Sequence, residues 1–416
     1  MADVRTVDPR RTAAWTAVAF VGIFLFQRLT IPGLLVPVTL PLLLIWAMAA
    51  LYTGVLELDR RRTIVWLATA GVTSMLMVIQ PILVTFPLIS ANSWLLWMVT
   101  WLPMAFRFAD RSRVTFEAAM HAISTAAVGI ATLSIAFIGI QLVGVRYQDL
   151  LAELVPSGFL VEDFVITYPI TWNSPIYKSN AWFALEPSFL SFMLGVALVC
   201  ALISRRSIAV VSIIAVGLLC TTAGSGIAVV AVYVVVEVVR GRSLALLRFW
   251  PAAAVLLVAG IVTGIGELIV DRIDEAGSAR SSTTLRAIEP YLYLAPQWAL
   301  DPGKVLVGGG PGASQRVVQD LGINGLLVPT PAKMLYDYGV VGGLLMLALI
   351  VICYVRSPSS GLAIAQASSL LILQGASQPL VALSLLTVTA FAPRLTVRES
   401  PPSFGEVPSS VVGRRS

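Results

Sequence analysis

The stretch AWFALEPSFLSFMLGVALVCALI, residues 181–203, carries a single charged side chain, Glu186, among otherwise apolar or small residues. A helix rises about 1.5 Å per residue, so roughly 20 such residues cross about 30 Å of hydrocarbon. Similar runs recur on both sides: 14–31, 34–55, 63–81, 93–107, 118–145, 207–222, 226–240, 249–270, 334–355, 361–373 and 379–394. Two links are thin. The pair 207–222 and 226–240 is broken only at Thr221-Thr222-Ala223-Gly224-Ser225-Gly226, and the last pair only at Gln374-Gly375-Ala376-Ser377-Gln378 before Pro379. The pattern predicts an all-α polytopic membrane protein of about 12 transmembrane helices. Residues 1–395 form one membrane domain, and 396–416 a Pro- and Ser-rich tail expected to be disordered. The first run is long, with Gln27 and Arg28 at its far end, and reads as a spanning helix rather than a removable signal.

Composition excludes a soluble domain: the chain is 57% hydrophobic and 12% charged, where a soluble one carries about a quarter charged residues. The net charge of +6 does not imply nucleic acid, because the basic residues lie in short clusters between apolar runs. Those clusters set topology. Of the 28 Lys and Arg, 19 fall on one side, including Arg10, Arg60, Arg61, Arg62, Arg107, Arg111, Arg206 and Arg356, and 9 on the other, including Arg28, Lys178 and Arg286. Short cytoplasmic loops retain positive charge, so both termini are expected inside a plasma (inner) membrane. The two long connections, 146–180 and 271–333, are then extracytoplasmic, the larger lying between helices 9 and 10.

Glu186 is the residue that asks for an explanation. An ionised carboxylate within a span costs on the order of 2–3 kcal/mol or more unless it is paired or faces water. Pro187 behind it removes a backbone donor and favours a helix start or a break, so Glu186 is expected to line a cavity, or else to tie two helices together through a cationic partner. In the larger loop, Arg272, Arg280 and Arg286 offer guanidinium forks suited to phosphate, the last beside an expected helix start. Gly308-Gly309-Gly310-Pro311-Gly312 has the look of a phosphate loop, but no Lys-Ser/Thr pair follows, and a tight turn needing positive φ is the plainer reading. His121 is the only histidine and is expected near the cytoplasmic end of the fifth span. Cys200, Cys220 and Cys353 lie inside apolar runs without metal-type spacing. Neither a metal nor another cofactor is expected.

Taken together, Asn180 through Leu190 with its Glu-Pro-Ser start, Gly224-Ser225-Gly226, and the loop from Arg286 through Gly308–Gly312 to Leu335-Tyr336-Asp337-Tyr338-Gly339 resemble the O-antigen ligase and Wzy-type polysaccharide polymerase superfamily. The resemblance implies transfer of a glycan from undecaprenyl pyrophosphate to a sugar acceptor outside the inner membrane, without metal or nucleotide. It implies catalytic roles for Glu186, towards the acceptor hydroxyl, and Arg286, towards the pyrophosphate. Lys178, Arg280, Arg272 and Ser188 would bind substrate. The implied partners are the lipid-linked glycan, the growing polysaccharide and membrane lipid, with a chain-length regulator and a flippase as candidate protein partners. Ligases offer a His before the helix that follows the loop, whereas this chain has Pro329-Thr330-Pro331-Ala332-Lys333 there. That favours a polymerase. A lipid-linked oligosaccharide flippase or other secondary transporter, a ligase-type transferase and a non-catalytic assembly partner stay open on the sequence alone.

Overall fold

The computed structural model describes residues 8–33, 36–161, 166–170, 174–241, 284–322, 326–373 and 377–394. It is mostly helical. The read span 249–270 and the tail lie outside the described residues. The first five helices are α1 (Pro9–Phe26), α2 (Thr39–Tyr52), α3 (Arg60–Leu83), α4 (Ala91–Trp101) and α5 (Arg113–Leu142). After the short α6 (Leu150–Leu154) come α7 (Pro187–Ile203), α8 (Ile208–Cys220) and α9 (Gly224–Val239). The loop region supplies α10 (Thr284–Ala287), α11 (Glu289–Ala299), α12 (Pro302–Val307) and α13 (Ala313–Asp320). The chain closes with α14 (Thr330–Tyr354), α15 (Ser360–Ser368), a π-helical turn at Ser369–Leu373 and α16 (Gln378–Thr387). Among the described residues, only α3, α5 and α14 are long and apolar enough to cross a membrane on length and composition alone; the other apolar helices from α2 onward are shorter.

Among the boundaries that differ from the sequence reading, three have a plain local reason. The run 181–203 begins its helix only at Pro187, whose fixed φ suits a first helical position, so Glu186 is the cap residue and not one turn inside. The run 93–107 is helical only to Trp101, then tightens into a 3-10 turn and the strand Phe106–Phe108. The run 334–355 is interrupted at Gly339 (φ 65, ψ −170), a conformation that glycine alone adopts without strain. The break expected at 221–226 is present, between Cys220 and Gly224.

The main core is formed where α1 and α7 pack on α5, α8 packs on α5, and α9 packs on α7. A second cluster joins α3, α4, α14 and α16 around Trp97, Trp101, Met104 and Met346. At 30 residues, α5 is about 45 Å long and separates two chemically different ends.

Near its N-terminus lies an arginine-rich end. Leu56–Leu58 and Phe106–Phe108 pair as a two-stranded ribbon, bringing Arg107 to Glu57 (2.7 Å) and Asp59 (2.9 Å), and Arg111 to Glu57 (2.8 Å). Asp59 caps α3, accepting the backbone N–H groups of Arg61 and Arg62. Burial alone raises its carboxyl, but the Arg62 N–H and the Arg107 and Arg62 guanidiniums outweigh that and hold it below 3.8. A lowered native value means that the stability Asp59 supplies is present above 3.8 and is lost as pH falls through the native value. Asp59→Asn should therefore lower stability at neutral pH and flatten the acid-unfolding curve below about pH 4, measurable by thermal unfolding across a pH series.

Candidate functional site at the Glu186 end

The opposite end of α5 carries the residues that the sequence singles out. Gln141 near the end of α5 reaches Tyr177 twice, accepting its N–H (2.8 Å) and donating to its carbonyl (3.3 Å). Ser134 donates to the Ser179 hydroxyl (2.9 Å), and the Ser179 N–H donates to the Cys220 carbonyl (3.1 Å). These bonds fasten Tyr177–Asn180 across the ends of α5 and α8. Lys178 is buried, with its ammonium 6.0 Å from the centre of the Tyr168 ring, and its backbone pairs with Thr167 and Tyr168.

From there the chain turns sharply into α7. Ala181 (φ 49) and Trp182 (φ 62) sit in the left-handed region, which costs non-glycine residues on the order of 1–3 kcal/mol each and persists only where the surroundings impose it. The surroundings are explicit. Asn180 Oδ1 accepts the Trp182 N–H (3.0 Å), and the Asn180 carbonyl accepts the Ala184 N–H (3.0 Å). Arg28, only 1% exposed, donates to the Trp182 carbonyl (2.9 Å) while forming a two-pronged pair with Asp149 (2.8 and 2.6 Å). The Trp182 ring meets Phe137, and Phe183 meets Phe24. Beside this clamp, burial and then Asp149 push the Tyr147 phenol up to about 12, so it stays protonated at any physiological pH.

Glu186 emerges from the turn half-buried, with extended backbone, as the cap residue of α7. Its carbonyl accepts the N–H groups of Phe189 and Leu190. Its carboxylate does not cap the helix; Oε2 instead accepts the Ser188 hydroxyl (3.0 Å). The helix dipole favours negative charge at this place.

Gly224-Ser225-Gly226 lies directly alongside. Ser225 donates to the Ser188 carbonyl (2.6 Å), Ser191 donates to the Ala223 carbonyl (2.7 Å), and the Gly226 N–H donates back to Ser191 Oγ (3.0 Å). A Cβ on Gly226 would overlap the Ser191 carbonyl, and one on Gly195 would overlap Gly226. The motif thus lets α9 approach α7 closely and fixes the helix start that carries Glu186. Gly226→Ala should cost about 1–3 kcal/mol through forced separation of the two helices, read as a lower unfolding temperature in detergent and reduced protein level.

The described parts of the larger loop pack against α3 and α14. The carbonyls freed by the break at Gly339 are taken up by the glycine run: the Gly309 N–H donates to Tyr336 O (2.8 Å) and the Gly310 N–H to Asp337 O (3.0 Å). Gln80 in α3 donates to Asp337 O and Val307 O. Gly308, Gly310 and Gly312 all have positive φ, so the tight-turn reading of the run holds. The Asp337 side chain is fully buried and accepts the N–H groups of Gly312 (3.0 Å) and Ser314 (2.8 Å) at the start of α13, with Lys333 Nζ at 3.7 Å. The donors that a phosphate would use at that helix start are occupied by the chain's own carboxylate.

Lys178, Glu186 and Ser188 therefore share one end of the bundle. Arg286 lies in α10, whose neighbours include α11 and the π-helical turn Ser369–Leu373, itself against α9. The side chain of Arg286 is not among those described, and Arg272 and Arg280 lie outside the described residues. His121 sits far from Glu186, with its Nδ1 2.9 Å from Arg206. Sequence reasoning did not single out Arg28, Asp149 or Asp337 for these roles. Arg28 and Asp337 carry a signal in retrospect, being charges inside or at the end of an apolar run.

Comparison with curated proteins and with solved structures gives no match. Residues 15–324 match the family described as WcaD colanic acid polymerase, a match consistent with a Wzy-type polysaccharide polymerase. It spans Arg28, the 146–180 connection, the Glu186 turn, the Gly224–Gly226 motif and the glycine run, and with the apolar helices it makes this a membrane protein of polysaccharide biosynthesis. The chain belongs to the WcaD colanic acid polymerase family.

Proposed function

We propose that the chain polymerises exopolysaccharide by joining undecaprenyl-pyrophosphate-linked oligosaccharide repeat units on the outer face of the inner membrane. The observation that carries this reading is the Glu186 turn: a carboxylate at a helix start, held by a strained and heavily braced loop, at the end of the bundle away from the arginine-rich one. With that end outside, the termini are cytoplasmic and the larger loop is extracytoplasmic.

In the proposed step, Glu186 takes the proton from an acceptor sugar hydroxyl. The hydroxyl oxygen bonds to the anomeric carbon of the donor glycan, and the bond from that carbon to the pyrophosphate oxygen breaks. Undecaprenyl pyrophosphate leaves with the electron pair, its negative charge met by Arg286 and Lys178. Ser188 orients the Glu186 carboxylate through its hydroxyl. The reaction balances without a redox partner or a metal. A ligase is disfavoured because Pro329-Thr330-Pro331-Ala332-Lys333 stands where ligases offer a histidine.

The test is a deletion strain, scored without the chain and again after complementation with it, for polymer and for single lipid-linked units on each side of the membrane. Loss of polymer with single units accumulating outside supports the reading. Accumulation on the cytoplasmic side would make the chain a flippase, and single units persisting on an acceptor lipid would make it a ligase.

A further inference from the structure

Topology alone asks only for solvated positive charge at one end of a membrane chain. The arginine-rich end is more organised than that. Arg62 is buried and donates to the carbonyls of Thr389 (2.7 Å) and Ala392, while buried Arg111 donates to those of Phe108 (2.9 Å) and Pro393 (3.0 Å). Both arginines pin the segment 389–393, and Arg62 and Pro393 line the space between α3 and the C-terminal part of α14. That space is a cleft of about 530 Å³ whose rim includes the exposed Arg60, Arg61 and Arg356.

The charge in the cleft does not balance. Among the described residues that line it, Asp59 is the single carboxylate, against Arg60, Arg61, Arg62, Arg107 and Arg356. It is already held by Arg107 and by the backbone of Arg61 and Arg62. The other wall is apolar: Ile352, Val355 and Pro393, the first two markedly exposed. Exposed cations beside an exposed aliphatic wall suit a ligand that is anionic at one end and hydrocarbon at the other.

We infer that this cleft binds the phosphate headgroup of an anionic phospholipid from the adjoining leaflet. Arg60, Arg61 and Arg356 grip the phosphate oxygens in two-pronged fashion, and an acyl chain lies along Ile352 and Val355. The inference rests on the fold and not on the polymerase reading, and it would stand if that reading failed.

The full chain, purified in neutral detergent, is tested by native mass spectrometry and thermal unfolding with added cardiolipin, phosphatidylglycerol, phosphatidylcholine or inorganic phosphate. The anionic lipids should be retained and should raise the unfolding temperature, and phosphatidylcholine should not. The triple variant Arg60→Ala, Arg61→Ala, Arg356→Ala should lose affinity by on the order of a hundredfold, each cation contributing several-fold. The triple Lys variant keeps the charge and guards against misfolding, and should show an intermediate loss. Arg113→Ala with Arg205→Ala, exposed arginines outside the cleft, should bind as wild type. Equal binding by the triple Ala and wild-type chains, equal loss in the Arg113 and Arg205 control, or equal protection by inorganic phosphate would each overturn the inference.

Discussion

Glu186→Gln is expected to lower polymer formation by about two to four orders of magnitude, the range that positioned general acid–base groups contribute, with protein level and unfolding temperature close to wild type. The substitution is nearly isosteric. Its amide oxygen still accepts the Ser188 hydroxyl that now lies 3.0 Å from the carboxylate, and the bonds that build the turn come from the backbone, Asn180 and Arg28. What the amide cannot do is accept a proton. Glu186→Asp keeps the acid but withdraws it by one methylene from a helix start that cannot follow, because α7 is pinned to α9 through Ser225 and Gly226. It should retain part of the activity. Single lipid-linked units measured alongside polymer give the answer: normal polymer in the Gln variant would remove Glu186 from the chemistry. If Glu186 only tied helices together, the Gln variant would lose stability and activity in proportion.

How much of this was readable beforehand depends on the range of the interaction concerned. The apolar runs were readable from their composition, and Pro187 offered a helix start although the run was read from Ala181. The break at Thr221–Gly224 was readable from its small and polar residues. The interruption at Gly339 was not, since a glycine within an apolar run reads as ordinary helix packing, and only the approach of Leu306 and Gly308 explains the conformation. Arg28 was readable as a charge on the less basic side. Its partner Asp149 is 121 residues away, and nothing local joins them. The same applies to Asp337, whose acceptor role depends on donors at Gly312 and Ser314. Sequence marks where a charge is costly; the fold says what offsets it.

Asp337→Ala is expected to destabilise the chain by about 2–5 kcal/mol, the scale for leaving one buried and one half-buried donor without their acceptor. The N–H groups of half-buried Gly312 and buried Ser314 at the start of α13 lose their acceptor, and the Lys333 ammonium loses a carboxylate 3.7 Å away. Each orphaned donor costs about 1–3 kcal/mol. Asp337→Asn should fall between, since its amide oxygen can serve one N–H but its NH₂ faces the other. The damage should be local first, because Asp337 fastens the glycine run and α13 to α14, while α5, α7, α8 and α9 pack in a different core. Limited proteolysis should open 302–322 before the rest, and the unfolding temperature should drop. Activity then distinguishes support from chemistry. Loss of polymer in the Asp337→Ala strain should be relieved at lower growth temperature, where the loop refolds, whereas the Glu186→Gln strain should stay inactive at every temperature. An Asp337→Ala chain as stable and as resistant to protease as wild type would mean that the carboxylate is not what holds the loop.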